Sequence, residues 1–337
     1  MSDWRVAVVG ATGAVGRTML KTLEERLFPL ADLRLLSSAR SAGSKVETRW
    51  GEVTVEDLAS ADPDGIDLAL FSAGGDRSRV YAPGFVAAGA VVIDNSSAFR
   101  QVDEVPLVVA GVNDHAIANH HGIIANPNCT TMALMMGAAP LHRAAGLAGL
   151  VATSYQSVSG AGQHGMDELV RQNDLLGHDR DALVLGAWRD PGGEMFPRPI
   201  GWNVIPQAGS MVDGGYTDEE WKLVNETRKI LEAPNVRVEP TCVRVPVMVG
   251  HAVAASMTFD RPLGIEEALQ LLKAAPGVEL WTDEAPTPLD SAGRDEVLIG
   301  RVRQSLGAPG GINLWAVGDN LRKGAALNAV QIAELLG

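Results

Sequence analysis

The chain has 337 residues, more than one domain usually holds, so two domains are expected. An apolar fraction of 46% and a charged fraction of 20% suit a globular protein, and no apolar run approaches the roughly 18 residues of a membrane span. A formal net charge of -13, without a basic stripe or tail, excludes nucleic acid as a partner.

The cysteine content bears on the compartment and on metal binding. Two cysteines, Cys129 and Cys242, give no disulfide framework, and no Cys or His cluster has the spacing of zinc ligands. No basic leader precedes a long apolar segment at the start, so a secretory signal is not expected. These features predict a protein of the reducing cytoplasm that binds no metal and no membrane.

Short, almost wholly apolar strands alternate with helical patterns in the first half of the chain. The predicted strands are Val6–Val9, Leu33–Leu36, Leu68–Phe71, Val91–Asp94, Leu107–Ala110 and Ile123–Ala125. A helix is predicted from about Gly13 to Leu27. Unbroken apolar strands separated by helices are typical of a parallel sheet buried on both faces, and therefore of an α/β domain.

The second half has longer strands in which polar and β-branched residues interleave, as in an antiparallel sheet with one covered face. The strands are predicted at Leu150–Ser157, Arg237–Val247 and Gly250–Asp260, and the helices at Gly165–Leu176, Asp218–Leu231 and Ile265–Ala274. This predicts an α+β domain that begins near Cys129–Thr131. Leu175–Ile200 is interpreted as a long surface loop, and Val317–Leu336 as a helix returning to the first domain.

A glycine-rich turn follows the first strand. Glycines at this position let the backbone approach a pyrophosphate, whose charge lies at the N-terminus of the next helix. The predicted cofactor contacts here are Gly10, Thr12, Gly13, Ala14, Val15 and Gly16. A turn without a ligand is the alternative, but the position between a strand and a helix favours a dinucleotide.

The end of the second strand indicates which dinucleotide binds. An NAD site usually has an acidic residue here, which holds the ribose 2′-hydroxyl. This sequence instead offers hydroxyls and a guanidinium, at Ser37, Ser38, Arg40 and Ser41. These groups suit a 2′-phosphate, so NADP is predicted, with a solvated loop as the alternative for any one of them.

Cys129 stands between the strand Ile123–Ala125 and the helical run Met132–Ala138, in the sequence Asn-Pro-Asn-Cys-Thr-Thr. A helix N-terminus stabilises a thiolate, which makes the cysteine a nucleophile at neutral pH. A free cysteine is more often a small buried apolar residue, and Cys242, inside a strand, is interpreted so. The polar neighbours of Cys129 favour the nucleophile.

A nucleophilic cysteine needs an acid or base within reach. Arg244 and His251 lie on a predicted strand pair that is interrupted at Gly250. The other histidines lie in polar, helical or loop contexts, whereas His251 heads an apolar strand, where an unpaired histidine would be costly. His251 is therefore the candidate acid or base, and a structural histidine is the alternative.

Several motifs resemble, in their order and spacing, the aspartate-β-semialdehyde dehydrogenase family. They are Gly10–Gly16, Asp94–Arg100, Asn126–Thr131, Ser154–Gly162, Glu219–Lys222 and Arg244–His251. The resemblance continues to Asp319–Gly324 and so covers nearly the whole chain. It implies a Rossmann-type NADP-binding domain at 1–129 plus 318–337, an α+β catalytic and dimerisation domain at 130–317, and a homodimer.

The resemblance also implies a reaction. It is the reversible, NADP-dependent reductive dephosphorylation of aspartyl 4-phosphate to aspartate 4-semialdehyde, through a thioester on Cys129. The reaction belongs to the biosynthesis of lysine through diaminopimelate and of threonine, methionine and isoleucine. His251 resembles the general acid/base, because an imidazole titrates near neutrality. Gln156 resembles the glutamine that orients the reacting centre.

Substrate and cofactor contacts are implied in the same way. Arg244 would grip the substrate carboxylate with its planar fork, and Glu219 would meet the amino group. Lys222, Arg100 and Asn95 would hold phosphate, with Asn128 as a further substrate-binding residue. Further cofactor contacts are implied at Ser72, Gly74, Ser159, Gly160 and Asn320, the last facing the nicotinamide. Glu219 and Lys222 share a helix face, so a plain surface ion pair is the alternative for them.

Two other functions compete. N-acetyl-glutamyl-phosphate reductase uses the same chemistry, but its blocked amine would give Glu219 no cation to meet. A non-catalytic dinucleotide-binding relative would be expected to lose the nucleophile or its partners, whereas this chain keeps Cys129, Gln156 and His251. No family role is assigned within 179–197.

Overall fold

The computed structural model describes residues 3–337, so Met1 and Ser2, where the predicted first domain begins, lie outside it. The described chain divides into two units. Unit 1 comprises the chain up to Met135 together with Glu226–Ala233 and Leu321–Gly337, and unit 2 comprises Met136–Asn225 and Pro234–Asn320. The inclusion of Glu226–Ala233 in unit 1 was not foreseen from the sequence.

Unit 1 is built on one sheet. Its strands are β1 (Trp4–Val9), β2 (Leu30–Ser37), β3 (Lys45–Thr48), β4 (Gly51–Asp57), β5 (Leu68–Phe71), β6 (Val91–Asp94) and β7 (Ile123–Ala125). They lie in the order β3-β4-β2-β1-β5-β6-β7, and every neighbouring pair is parallel except β3 with β4. The predicted α/β class with a parallel sheet is confirmed. The hairpin strands β3 and β4 were missed.

Helices complete unit 1. They are α1 (Ala14–Glu25), α2 (Gly75–Ala87), the first turns of α3 (Cys129–Ala145), the last turns of α6 (Asp218–Ile230), and α9 (Leu327–Glu334). A π-helical turn, Arg322–Ala326, precedes α9. The predicted helix from Val317 therefore begins too early, because Ile312–Gly318 is a strand of unit 2. Apolar side chains of α1 and α9 pack with those of the central strands in one buried cluster.

The prediction of a strand at Leu107–Ala110 is wrong. Only Leu107 makes a bridge, to Ala125, within this segment. Val108 N–H donates to Ala125 O of β7 at 3.0 Å, but side chains bond the groups that follow: Asn113 Oδ1 accepts from Val109 N–H at 2.9 Å, and Asn328 Oδ1 accepts from Ala110 N–H at 2.9 Å. The segment is apolar because it is buried, and side-chain amides bond the backbone beyond this short contact with β7.

Unit 2 is built on a mixed sheet. Its strands are β8 (Leu147–Gln156), β9 (Arg237–Arg244), β10 (His251–Phe259), β11 (Val278–Leu280), β12 (Val297–Gln304) and β13 (Ile312–Gly318). They lie in the order β11-β12-β13-β10-β8-β9. The predicted antiparallel sheet is only partly right, because β8 with β9 and β11 with β12 pair in parallel. The long helical connection between β8 and β9 permits that pairing.

The helices of unit 2 lie partly in that connection and partly outside it. They are the rest of α3, α4 (Gly162–Gly177), α5 (Arg180–Leu185), the first turns of α6, α7 (Ile265–Ala274) and α8 (Pro288–Ser291). The connection contains α4, α5 and the first turns of α6. The loop expected over Leu175–Ile200 contains α5, which Asp179 caps by accepting from Ala182 N–H. In the described part of the chain, every helix is too short or too polar to cross a membrane.

The turn between β1 and α1 requires glycine at two positions. Gly10 has φ +86°, and a Cβ there would lie 2.3 Å from Ser72 O. A Cβ on Gly16 would lie 2.2 Å from Gly10 O, because the first turn of α1 packs directly on the backbone of the turn. Both contacts are with backbone atoms, which cannot rotate away as a side chain can.

Substituting Gly16→Ala should therefore lower the free energy of unfolding by about 1–3 kcal/mol, because the new methyl group overpacks this turn. Gly13→Ala is the matched control, since its Cβ would lie 3.4 Å from Gly10 O and its φ of -77° suits alanine. That variant should stay within about 0.5 kcal/mol of wild type. Urea unfolding measures both, and an equal loss in the two variants would contradict this account of the turn.

Candidate active site

A cavity of about 200 Å³ lies in unit 1 at the carboxyl ends of β1, β2 and β5. Predicted cofactor residues make up most of its lining, namely Gly10, Thr12, Gly13, Ser37, Ser38, Arg40, Ser41 and Ser72. Thr12 Oγ1 lies 2.9 Å from Ser37 Oγ and 3.3 Å from Ser41 Oγ, so the hydroxyls form one cluster. Arg77 of α2 also lines the cavity and was missed from the sequence.

Other predicted cofactor residues of unit 1 are neighbours in sequence of the residues that line this cavity. Ala14, Val15 and Gly16 form the first turn of α1, and Gly13, its N-cap, has no side chain to satisfy the N–H groups of that turn. Gly74 precedes α2 with φ +87°. Among the residues described, the lining of the cavity contains no carboxylate.

Cys129 is the first residue of α3 and is partly exposed. Asn128 caps the helix, because its Oδ1 accepts from Thr130 N–H at 2.9 Å and from Thr131 N–H at 3.3 Å. The cap fixes the direction of the first turn and leaves the thiol at the positive end of the helix dipole. The structure thus gives Cys129 the environment that the sequence predicted.

A largely buried polar cluster, which we call the Arg100 cluster, holds the segment before Cys129. It consists of Asn95, Arg100, Asn126, Asn128 and Glu226. Arg100 donates from Nε to Asn126 O at 2.9 Å, from Nη2 to Asn95 O at 2.9 Å and from Nη1 to Glu226 Oε1 at 3.0 Å. Glu226 Oε2 accepts from Asn128 N–H at 2.7 Å. The structure brings the predicted Asn95, Arg100, Asn128 and Cys129 together in unit 1.

Glu226 was missed from the sequence. It follows Glu219 by seven residues and Lys222 by four, so all three share one face of α6. That spacing was the available signal. Its side chain is buried, which a carboxylate tolerates only when it is paired.

Gln156 and Arg244 are register partners at the ends of β8 and β9 in unit 2. Gln156 Nε2 donates to Glu219 Oε1 at 3.2 Å, and Arg244 Nη1 donates to Ser157 O at 2.8 Å. Glu219 Oε2 lies 3.2 Å from Lys222 Nζ. Parallel strands end at the same sheet edge, so the predicted substrate residues gather there.

Lys222 lies between two carboxylates. Burial alone would lower its pKa, but the charge of Glu219 and the hydrogen bond to Asp218 outweigh burial, and the pKa is raised. Burial alone would raise the pKa of Asp218, but its hydrogen bonds to Lys222 and Ser210 N–H outweigh burial, and the pKa is lowered. Lys222 therefore stays positively charged at neutral pH.

His251 is fully buried at the first position of β10. Its Nδ1 accepts from Ser157 N–H at 3.1 Å, which fixes Nε2 as the protonated nitrogen of the neutral ring. Within residues 3–337, no hydrogen-bond partner lies within reach of that buried Nε2. Burial, reinforced by the charge of Arg244, lowers the pKa of His251 to about 3.

Gly160 lies against the side chains of Arg244 and His251. A Cβ there would lie 2.9 Å from Arg244 Nη1 and 3.2 Å from His251 Nε2. Ser159 and Asn320 form the next layer: Asn320 Oδ1 accepts from Ser159 Oγ at 3.0 Å and from Gly250 N–H at 2.9 Å. Unit 2 therefore brings Gln156, Ser159, Gly160, Glu219, Lys222, Arg244, His251 and Asn320 together.

Cys242 has the environment of an apolar core residue. It lies inside β9, and burial raises the pKa of its thiol to about 12. Its thiol is therefore protonated at neutral pH. In the part of the chain that the structure describes, no cluster of His, Cys, Asp or Glu has the grouping of a metal site.

Fold and site together define a two-domain dehydrogenase with a dinucleotide cavity and a cysteine at a helix N-terminus. Two family models match the chain: "Semialdehyde dehydrogenase, NAD binding domain" over residues 5–120, and "Semialdehyde dehydrogenase, dimerisation domain" over residues 138–323. The chain is thus a semialdehyde dehydrogenase by class.

Individual relatives narrow the class. The chain is 52% identical to aspartate-semialdehyde dehydrogenase of Streptomyces akiyoshiensis and 51% identical to that of Corynebacterium melassecola, with 98% of each chain covered. The crystal structure of aspartate semialdehyde dehydrogenase II from Vibrio cholerae complexed with ASA is 45% identical, with a TM-score of 0.94. That match covers 100% of this chain and 98% of the other. The chain belongs to the aspartate-semialdehyde dehydrogenase family.

The environment of His251 predicts a pH dependence of stability. Because the folded-state pKa lies below the ordinary value near 6.5, the unfolded chain takes up a proton that the folded chain excludes. The stabilising contribution is therefore complete above about pH 6.5 and is lost as the pH falls toward 3, by up to about 1.4 kcal/mol per pH unit. His251→Gln should show a slope shallower by this amount in urea unfolding between pH 7.5 and 5. Equal slopes in wild type and variant would contradict the assignment.

Proposed function

We propose that the protein catalyses the reversible, NADP-dependent and phosphate-dependent oxidation of aspartate 4-semialdehyde to aspartyl 4-phosphate. The observation that carries this proposal is Cys129, partly exposed at the capped N-terminus of α3 beside the Arg100 cluster. The names of the relatives and the ASA complex of the Vibrio cholerae protein support the substrate. In the reverse direction the reaction serves the biosynthesis of lysine, threonine, methionine and isoleucine.

Cys129 is the proposed nucleophile. Its thiolate attacks the aldehyde carbon of the substrate and gives a thiohemiacetal anion, with the negative charge on the former carbonyl oxygen. NADP, when bound, would supply the oxidation by taking hydride from that carbon, and the oxyanion would become the carbonyl of a thioester on Cys129. An oxygen of inorganic phosphate then attacks the thioester carbon, the carbon–sulfur bond breaks, and Cys129 leaves as thiolate. The product is the acyl phosphate.

His251 is the proposed acid/base. In the neutral ring, Nε2 carries the hydrogen, and this N–H can donate a hydrogen bond to the substrate oxygen that becomes negative during attack. Ser157 Oγ lies 3.0 Å from Nδ1, and the hydroxyl of Ser157 can donate a hydrogen bond to Asn320 Oδ1 at 3.1 Å. That hydroxyl can therefore accept from Nδ1 when the ring takes a second proton. A negative charge opposite Nε2 would offset the desolvation that keeps the ring neutral.

Substrate and phosphate are assigned to different cations. Arg244, held by Ser157 O, presents a planar fork to the substrate carboxylate, and Glu219 meets the amino group. Arg100, with Asn95, and Lys222 hold the phosphate, with Asn128 beside the nucleophile as a further substrate contact. Gln156 orients the reacting centre from the end of β8. Lys222 is suited to an anion because it stays charged.

The lining of the cavity in unit 1 suits the phosphate groups of NADP. That lining offers five serine and threonine hydroxyls together with Arg40, and Arg77 on α2. Guanidinium groups and hydroxyls pair with a ribose 2′-phosphate, whereas a carboxylate in that place would repel it. The N-terminus of α1, where no side chain of the N-cap Gly13 occupies the N–H groups, suits the pyrophosphate. On the nicotinamide side we assign Gly74, Ser159, Gly160 and Asn320.

A homodimer is proposed as the working assembly. Unit 2 exposes large apolar side chains on neighbouring parts of its sequence, at Val184, Leu185, Trp202, Val204 and Met211. Exposed apolar surface of this kind marks an interaction site. The family model that matches this unit is described as a dimerisation domain, which supports a second copy of this chain as the partner.

The substrate is tested by NADPH formation with phosphate and each semialdehyde in turn. Aspartate 4-semialdehyde should be oxidised, and N-acetyl-glutamate semialdehyde should react at least about 100-fold more slowly, because its blocked amine offers Glu219 no cation. Preference for the acetylated substrate would replace this function by that of the reductase.

The nucleophile is tested in the same assay. Cys129→Ala should abolish turnover while NADP still binds, and Cys242→Ser is the matched control that should retain turnover.

The cofactor is tested at Arg40. Arg40→Ala should weaken NADP by at least about tenfold and NAD by less than about threefold, because only NADP carries the 2′-phosphate that a guanidinium pairs with. Fluorescence titration with the two reduced cofactors measures both affinities. Arg17→Ala, a change in an exposed arginine of α1 outside the cavity lining, is the control and should leave the ratio unchanged. Equal losses for the two cofactors in Arg40→Ala would remove Arg40 from the 2′-phosphate site.

A further inference from the structure

Two of the contacts that Glu226 makes bear on the surroundings of Cys129. Its side chain is fully buried on α6. Oε1 accepts from Arg100 Nη1 at 3.0 Å, and Oε2 accepts from Asn128 N–H at 2.7 Å. One carboxylate therefore touches both the arginine assigned to phosphate and the residue that precedes the nucleophile.

We propose that Glu226 is a positioning residue, which aims the guanidinium of Arg100 at phosphate and holds the N-terminus of α3 under Cys129. The proposal rests on the function proposed above. It assigns Glu226 no contact with substrate or cofactor.

The guanidinium of Arg100 is oriented by three acceptors. Nε donates to Asn126 O and Nη2 donates to Asn95 O, each at 2.9 Å, and Nη1 donates to Glu226. These bonds use one hydrogen on each nitrogen. Each Nη carries a second hydrogen, and the planar group directs both in fixed directions. Without Glu226 the guanidinium would keep its charge but lose one of the three bonds that set its plane.

The backbone of Asn128 is held in a similar way. Its Oδ1 caps α3 through Thr130 N–H and Thr131 N–H, and Glu226 fixes its own N–H. The side chain of Asn128 can direct the helix only if the backbone of Asn128 is itself held in place. Glu226 therefore acts on Cys129 through one intervening residue.

Lys229, one turn further along α6, holds the loop that follows Arg100. Its Nζ donates to the carbonyls of Arg100, Val102 and Val105 at 3.0, 2.7 and 2.9 Å. Burial lowers the pKa of Lys229, and the three carbonyls replace the water it has lost. α6 thus holds the backbone of this loop through Lys229 and the side chain of Arg100 through Glu226.

A carboxylate next to a phosphate site does not attract phosphate, which argues for a role in geometry. A buried arginine that loses its carboxylate becomes an uncompensated buried charge and can move toward any remaining acceptor or water. Arg100 and Glu226 are both buried, so the pair is weakly screened by solvent. The pair holds one orientation of Arg100 in the absence of phosphate, and so lowers the ordering cost of binding.

Glu226→Gln tests the proposal, because the amide keeps the size of the side chain but has one acceptor oxygen in place of two. It should raise the apparent KM for phosphate at least about tenfold, while the KM for aspartate 4-semialdehyde changes less than about threefold. A merely structural loss would move neither KM selectively. Steady-state rates with each substrate varied in turn give the split.

Glu220→Gln is the matched control. Glu220 is also buried on α6, and it accepts from Thr217 N–H at 2.7 Å and from Cys242 N–H at 2.9 Å. Its substitution should lower the thermal midpoint and leave the ratio of the two KM values as in wild type. A similar split in Glu220→Gln would assign the effect to general loosening of the helix and overturn the proposal.

A double variant tests whether Glu226 acts through Arg100. Arg100→Ala should raise the phosphate KM, and adding Glu226→Gln should raise it by less than a further twofold, because the shared contact is already lost. If the phosphate KM of the double variant rose by the product of the two single effects, the coupling would be overturned.

The rate at which iodoacetamide alkylates Cys129, followed by mass spectrometry without substrate, separates this proposal from the proposed function. Glu226→Gln should change that rate at least about threefold, and Glu220→Gln should not. If wild type showed no phosphate-dependent turnover, the proposed function and the phosphate role of Glu226 would fall together. The alkylation rate would still decide its role at the nucleophile, and an unchanged rate would overturn that role.

Discussion

The position of Cys129 depends on the buried side chain of Asn126. Its Oδ1 accepts from Asn328 Nδ2 at 2.6 Å, and its Nδ2 donates to Ala325 O at 2.9 Å and to Asn95 Oδ1. A buried amide is stable only when its donors and acceptor are satisfied. The chain just before Cys129 is therefore bonded both to the end of β6 and to the carboxyl-terminal segment.

The same requirement explains why the last residues belong with the first domain. Lys323, buried in the π-helical turn, donates to Ala110 O, Asn328 Oδ1 and Gln331 Oε1 at 2.8, 3.0 and 2.7 Å. A π-helical turn is uncommon and is retained where its geometry is needed. Here it directs a lysine into the protein, where three oxygens replace water. The lysine orders Asn328, and Asn328 orders Asn126, so the carboxyl-terminal segment helps to set the geometry of the chain before Cys129.

The sequence predicted what depends on local pattern. The apolar runs of β1, β5, β6 and β7 and the turn at Gly10–Gly16 could be recognised, because burial on both faces and a backbone–pyrophosphate approach each demand particular residues. Leu107–Ala110 and Glu226 could not. The first has the composition of a strand but is bonded by Asn113 and Asn328, and Glu226 meets Arg100 across 126 positions. A local pattern of residues does not reveal a side-chain partner so far away in the sequence.

The histidine of unit 2 follows from a different constraint. His251 is desolvated on every side, and the charge of Arg244 adds to that cost, so the folded chain holds the ring neutral. Ser157 N–H selects the tautomer, and Asn320 fixes Gly250 N–H, directly before the ring. A donor whose direction is set before substrate arrives needs no reorganisation when negative charge develops on the substrate oxygen. The burial that makes His251 a weak base in isolation thus leaves its Nε2–H as a donor of fixed direction, which suits the proposed role at the substrate oxygen, and the ring can gain charge only when a negative partner enters.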